Sequence, residues 1–244
     1  DEWEWYIGQL FAKLIEKVHK GKIQTVVELA PGFRYKVAYA LKEFNFNGNI
    51  YVIDTNLEVL EYVKEKYSKI LPKANIICLN CTFENSFEVI PQEFDLFLSN
   101  HSIDDMIIAE HMEKSYVNNL GNDDFRDILS DAWRELGKNK ETIEQITNHV
   151  YLSFKKFFNY KKIETIIISQ YKSNLYFKEE FTEMDKITEN CFNRIKKLVN
   201  MDNYYINKIL EYYPFGEDDE RYNGRYLLDN TQNAKNWIVG SALK

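Results

Sequence analysis

Several features that would quickly assign a chain of 244 residues are missing from this one. No apolar run reaches the roughly eighteen residues that a membrane-spanning helix needs. The opening residues, DEWEWYIGQL, are acidic and aromatic where a secretory leader would be basic and then apolar. Both absences lead to the expectation of a cytoplasmic protein with no membrane partner. Cysteine is scarce: Cys78, Cys81 and Cys191 are an odd number, which argues against a disulfide framework. Cys78 and Cys81 form one CxxC, in ICLNCTF. Zinc would need further thiol or imidazole ligands, and the nearest histidine is His101, so no metal is expected. Basic charge is also short, with 31 Lys and Arg against 38 Asp and Glu and a net charge of -7. The basic residues gather only in pairs such as Lys155-Lys156, Lys161-Lys162 and Lys196-Lys197. A protein that grips nucleic acid through phosphates would show a basic stripe, so a nucleic-acid partner is disfavoured and a small-molecule substrate is expected. The oligomeric state is left open.

The glycine-rich loops of phosphate binding are absent too. In VVELAPGFRYKVAYAL, Val26 to Leu41, the three glycine positions of a dinucleotide loop would fall on Ala30, Gly32 and Tyr35, and only Gly32 is glycine. A pyrophosphate must approach the backbone amides at the start of the helix, which that spacing of glycines permits. No GxxxxGK[ST] motif is present either. A dinucleotide and an ATP held in a P-loop are both set aside.

What is present is a strong alternation of elements. Trp3, Tyr6, Ile7, Leu10, Phe11, Leu14, Ile15 and Val18 recur at the spacing of an amphipathic helix. TVVEL, NIYVID, ANIICLN, FDLFLSN and KIETIIISQ then read as short buried strands separated by helices. RYLLD and NWIVGSALK read as two closing strands. The expected fold is α/β: an open, mostly parallel, Rossmann-like sheet of about seven strands, with helices on both faces and a terminal antiparallel strand. One domain spans residues 1–244, with an N-terminal lid helix over 1–20. Helical insertions after strands four and five, at 104–160 and 178–214, are expected to cap the sheet. In such a sheet ligands sit at the carboxyl ends of the strands, here ELAPGF, IDTN, LNCTF and LSNHSIDD.

Those ends offer an acid after strand one, a Pro-Gly turn and an acid after strand two: Glu28, Pro31-Gly32 and Asp54. An adenosine without phosphates presents two ribose hydroxyls, which a carboxylate can accept, and a cationic amino-acid tail favours acceptors over an arginine clamp. On these residues the chain resembles the class I, Rossmann-like S-adenosylmethionine-dependent methyltransferases, over about Ile23 to Gln170. Against that family's E/D-x-G-x-G-x-G motif the chain has E-L-A-P-G-F-R, so Glu28 and Gly32 match while Ala30 and Arg34 depart. The resemblance implies S-adenosylmethionine as cofactor and S-adenosylhomocysteine as product. It also implies that Glu28 belongs to the cofactor site, that Ala30, Pro31 and Gly32 lie against the methionine portion, that Asp54 holds the ribose, and that Thr55, Cys81 and Thr82 lie near the adenine. Cys81 stands where the family often has an Asp. The resemblance also implies that strand four ends under the methyl group, which makes Asn100, in the segment SNHSIDDM, a further expected cofactor contact.

Methyl transfer is an in-line displacement, so the protein must hold a nucleophile in place and remove its proton where required. His101 and Asp104 are the catalytic candidates, with Asp105 expected to attract a cationic substrate. Each has a bland alternative: His101 as a packing residue at the start of a helix, Asp104 and Asp105 as first-turn acids favoured by the helix dipole. No [D/N]-P-P-[Y/F] segment is present, which favours a small molecule acting through N or O. Trp5 and Tyr6 are expected to close the site, on the family's habit of using an N-terminal helix as a lid. An RNA or protein methyltransferase, or a non-catalytic scaffold that binds the cofactor, are the alternatives.

Overall fold

The computed structural model describes residues 2–118, 120, 125–170, 182–199 and 237–241. Five strands run parallel: β1 (Thr25–Leu29), β2 (Asn49–Asp54), β3 (Asn75–Asn80), β4 (Glu93–Asn100) and β5 (Lys162–Ser169). A sixth, β6 (Trp237–Ser241), pairs antiparallel with β5, from Thr165 opposite Ser241 to Ser169 opposite Trp237. The sheet order is β3-β2-β1-β4-β5-β6. This is the expected α/β, Rossmann-like class, an open, mostly parallel sheet with a terminal antiparallel strand, with six described strands where about seven were expected. RYLLD, at 225–229, lies outside the described residues.

Period-two alternation sorts the strand side chains into two cores. Val26, Ile50, Val52, Leu96 and Leu98 face a layer built from α1 (Glu2–Val18), α2 (Lys36–Lys42) and α3 (Leu57–Ile70). Val27, Leu29, Ile53, Phe97 and Ile168 face the other layer, which includes α4 (Ile103–His111), α6 (Arg126–Leu136), α7 (Lys140–Tyr160) and α8 (Thr182–Lys196). A short helix, α5 (Lys114–Val117), follows α4. Aromatic rings fill the second layer: Phe83, Phe97 and Phe157 pack at centroid separations of 4.8 Å for Phe83–Phe157 and 5.0 Å for Phe97–Phe157. Burying such rings contributes roughly 1.5–3 kcal/mol each, so α7 is tied directly to the sheet. Helix α1, the expected lid, lies in the first core through Tyr6, Ile7, Leu10, Phe11 and Leu14.

The chain winds outward from β1 to β3 and then returns to place β4 on the other side of β1. The crevice at this reversal, at the carboxyl ends of β1 and β4, is where ligands of open α/β sheets bind.

Candidate functional site

The loop after β1 is held open by two left-handed residues, Ala30 at φ 48° and Gly32 at φ 60°. A Cβ on Gly32 would meet nothing within 4 Å, so glycine is required there by its backbone angle and not by crowding. Ala30 carries the same conformation with a side chain, at a cost of about 1 kcal/mol. Four amide donors of this loop, those of Ala30, Gly32, Arg34 and Tyr35, are committed within the protein. The N–H of Ala30 donates to the Ile53 carbonyl at 2.8 Å, that of Gly32 to the Asp54 carboxylate, and that of Arg34 to the Gly32 carbonyl at 2.7 Å. The N–H of Tyr35 donates to Glu4 Oε2 at 3.0 Å. A pyrophosphate would need such donors unspent.

Asp54, at the tip of β2, accepts from the backbone amides of Asn56, Gly32 and Thr55, with Asn56 N–H at 2.9 Å from Oδ1. Burial lifts its carboxyl to about 6, and the three amides counter that rise. A carboxylate has about four acceptor sites, which leaves room for a ribose hydroxyl. The turn is supported from both sides. Asn56 caps α3 by accepting from Glu58 N at 3.0 Å, and Asn80 on β3 donates to the Thr55 carbonyl at 2.9 Å.

Glu28 points into the first core, where Tyr67 Oη donates to its Oε2 at 2.6 Å. Burial lifts the Glu28 carboxyl to about 8, against the lowering effects of the Tyr67 bond and of Lys36. The same burial lowers the Lys36 ammonium to about 8.

The turn after β4 is built on a third left-handed residue, His101 at φ 60°. Its N–H donates to the Ser169 carbonyl at 2.7 Å, and Ser169 Oγ donates to Asn100 Oδ1 at 2.6 Å, so the end of β5 clamps the end of β4. His101 Nδ1 lies 3.1 Å from Asp104 Oδ2. Gln170 Nε2 donates to the other oxygen of Asp104 at 3.1 Å, while Gln170 Oε1 accepts from Ile103 N–H at 3.0 Å. Because a backbone N–H can only donate, that contact fixes which end of the Gln170 amide faces Asp104. Asp104 is 6% exposed and Gln170 also 6%, so neither group trades its partner for water. Burial raises the carboxyls of both Asp104 and Asp105, with Asp104 adding to the rise at Asp105 and His101 opposing it. Asp54 and Asp185 add further negative charge to this pair. The result is a histidine aligned by an aspartate inside an acidic, desolvated strand end, an arrangement able to accept a proton from a nucleophile.

The sequence-derived residues thus fall into two groups that come together and two that stand apart. Ala30, Pro31, Gly32, Asp54 and Thr55 form one turn system, and Asn100, His101, Asp104 and Asp105 another. Electrostatically, Asp54 and Asp105 link the two. Cys81 and Thr82 follow β3 at the sheet's edge, with the Cys81 thiol held up by burial and Thr82 exposed. Tyr6 is fully buried in the first core and stacks on Trp3 at 5.6 Å, while Trp5 is half-buried. Four supporting residues escaped the sequence reading: Glu4, Tyr67, Asn80 and Gln170. Each acts on a residue at least 25 positions away, and no local motif announces such partners.

No sequence-family model matches the chain, and no curated protein matches it. Solved structures with similar folds include a phosphoethanolamine N-methyltransferase 2 of Haemonchus contortus in complex with S-adenosyl-L-methionine. It is 15% identical, with 93% of this chain and 45% of that one covered and a TM-score of 0.43. The plantazolicin methyltransferase BpumL in complex with SAH is 10% identical, over 89% of this chain and 65% of that one, with a TM-score of 0.40. An rRNA methylase from Streptococcus thermophilus is 13% identical, over 75% and 74%, with a TM-score of 0.37. At these identities and scores the fold assignment rests on the strand order and register, not on the neighbours.

Proposed function

We propose that the chain is an S-adenosylmethionine-dependent methyltransferase that acts on a small molecule, with an amine nitrogen favoured over a hydroxyl oxygen as the acceptor. The observation that carries this reading is the pairing of half-buried His101 with buried Asp104 at the end of β4, beside a β1 turn in which the amides of Ala30, Gly32, Arg34 and Tyr35 are already spent. The turn suits an adenosyl group without phosphates, and Asp54 retains acceptor capacity for a ribose hydroxyl. When bound, S-adenosylmethionine supplies an electrophilic methyl group.

The chain's own residues account for the remaining requirements. Asp104, held by Gln170, directs Nδ1 of His101 toward itself and leaves Nε2 to take the proton from the nucleophile. The raised carboxyls of Asp104 and Asp105 mark a site that a cationic amine would relieve. The chain's acidic balance accords with a small cationic substrate. The test is transfer of labelled methyl from S-adenosylmethionine to a panel of small amines and phenols. Label is expected in at least one amine and lost in His101→Gln. Label appearing only in RNA or protein supplied in parallel would overturn the small-molecule reading.

A further inference from the structure

Helix α1 carries a buried carboxylate onto the β1–α2 loop, and neither the cofactor reading nor the proton-transfer reading uses it. Gly8 sets the approach: a Cβ there would come within 2.7 Å of both the Lys36 carbonyl and Tyr39 Cβ, so α1 crosses α2 at backbone contact distance. Glu4, one turn earlier on the same face of α1, is thereby delivered to the start of α2. It is 2% exposed. Its Oε2 accepts from Tyr35 N–H at 3.0 Å and its Oε1 lies 3.4 Å from Arg34 Nη1. The ammonium of Lys36, 5% exposed, interacts with both Glu4 and Glu28. A guanidinium, an ammonium and a backbone amide therefore converge on a carboxylate where a dinucleotide loop would converge on phosphate. Arg34, which departs from the E/D-x-G-x-G-x-G motif, and Tyr35, which departs from the dinucleotide pattern, are the positions that contact Glu4.

We infer that Glu4 is a specificity residue: an internal anion that occupies the phosphate position of the loop and makes the site select adenosyl ligands without phosphates. The inference rests on the reading that the β1–α2 turn holds an adenosyl group. A phosphate entering the loop would have to displace a buried carboxylate or lie against it. Like charge and lost hydrogen bonds both oppose that exchange.

The test is calorimetric titration of the full chain with adenosine, ADP, inorganic pyrophosphate and S-adenosylhomocysteine, in wild type, Glu4→Ala and Glu4→Gln. Wild type is expected to prefer adenosine to ADP and to show no saturable pyrophosphate binding. Either variant should improve the ADP-to-adenosine affinity ratio by about tenfold or more, the scale of one charge-assisted hydrogen bond. Both should gain pyrophosphate binding that weakens with salt and is lost again when Arg34→Ala is added. Should Glu4→Ala fail to fold by circular dichroism, the near-isosteric Glu4→Gln decides alone. An unchanged ADP-to-adenosine ratio with no gain of pyrophosphate, or ADP preference in wild type, overturns the role of Glu4. Failure of wild type to bind adenosine and S-adenosylhomocysteine would instead count against the cofactor reading, and the pyrophosphate arm would still judge Glu4.

Discussion

The turns after β1 and β4 share a construction and differ in what they leave unspent. Each leaves its strand through left-handed backbone, at Ala30 and Gly32 in one and at His101 in the other. In the β1 turn the chain's own carboxylates, Glu4 and Asp54, accept the amides of Tyr35 and Gly32, while those of Ala30 and Arg34 donate to backbone carbonyls. In the β4 turn the backbone is closed by the neighbouring strand, and the side chains form a relay from Gln170 through Asp104 to His101. On the proposed function, one turn holds the ligand and the other moves a proton. The difference teaches that a left-handed strand end gives only the position; the function comes from whether hydrogen bonds are consumed by backbone or left on titratable side chains.

The sharpest break of this contrast is Asp54→Ala. It removes the acceptor of three amides and the proposed ribose contact together, and S-adenosylhomocysteine affinity by calorimetry should fall at least about a hundredfold. Asp104→Asn attacks the other turn: cofactor affinity should stay within about twofold, while turnover should fall by about 10²-fold or more. Unchanged turnover would remove Asp104 from the mechanism. Gln170→Leu should have a milder effect, about tenfold on turnover, because it loosens Asp104 without deleting it. Its more direct readout is the nitrogen spectrum of the His101 ring, which should show Nδ1 protonated in wild type and a mixture of tautomers in the variant. A purely structural role would leave that tautomer balance unmoved.

The smallest expected effect is on stability. Glu28 has a folded value of about 8 against an ordinary 4.5, so the folded state binds the extra proton between those values. Stability gained from Glu28 is therefore full below 4.5 and lost as pH rises toward 8. Glu28→Gln should flatten that part of the melting-temperature profile, and an unaltered slope would contradict the assignment. Tyr67→Phe should cost about 1–3 kcal/mol in denaturant unfolding at neutral pH, since it leaves a buried carboxyl oxygen without its donor.

Much of the scaffold was legible because it is written locally. TVVEL, NIYVID and FDLFLSN announce buried strands by their apolar, β-branched runs, and the helices between them fix a parallel order. Asp54 and His101 were legible because they fall at strand ends. Arg34 was not, since its partner Glu4 lies 30 positions earlier on another helix. Gln170 was equally hidden: a glutamine after an apolar strand carries no signal until β4 and β5 are paired and Asp104 comes within 3.1 Å. The helices expected as a cap also contribute core. Phe154 and Phe157 of α7 lie against Phe83 and Phe97 of the sheet layer, a contact that periodicity alone cannot distinguish from packing within a separate cap.

The central claim is that the β1 and β2 ends form a site for an adenosyl cofactor that the β4 end serves but does not hold. Calorimetric titration of S-adenosylmethionine into wild type, Asp54→Ala and Asp104→Asn tests it most directly. The account predicts saturable one-site binding in wild type, retained in Asp104→Asn and lost in Asp54→Ala. No saturable binding in wild type, or binding that survives Asp54→Ala, would contradict it.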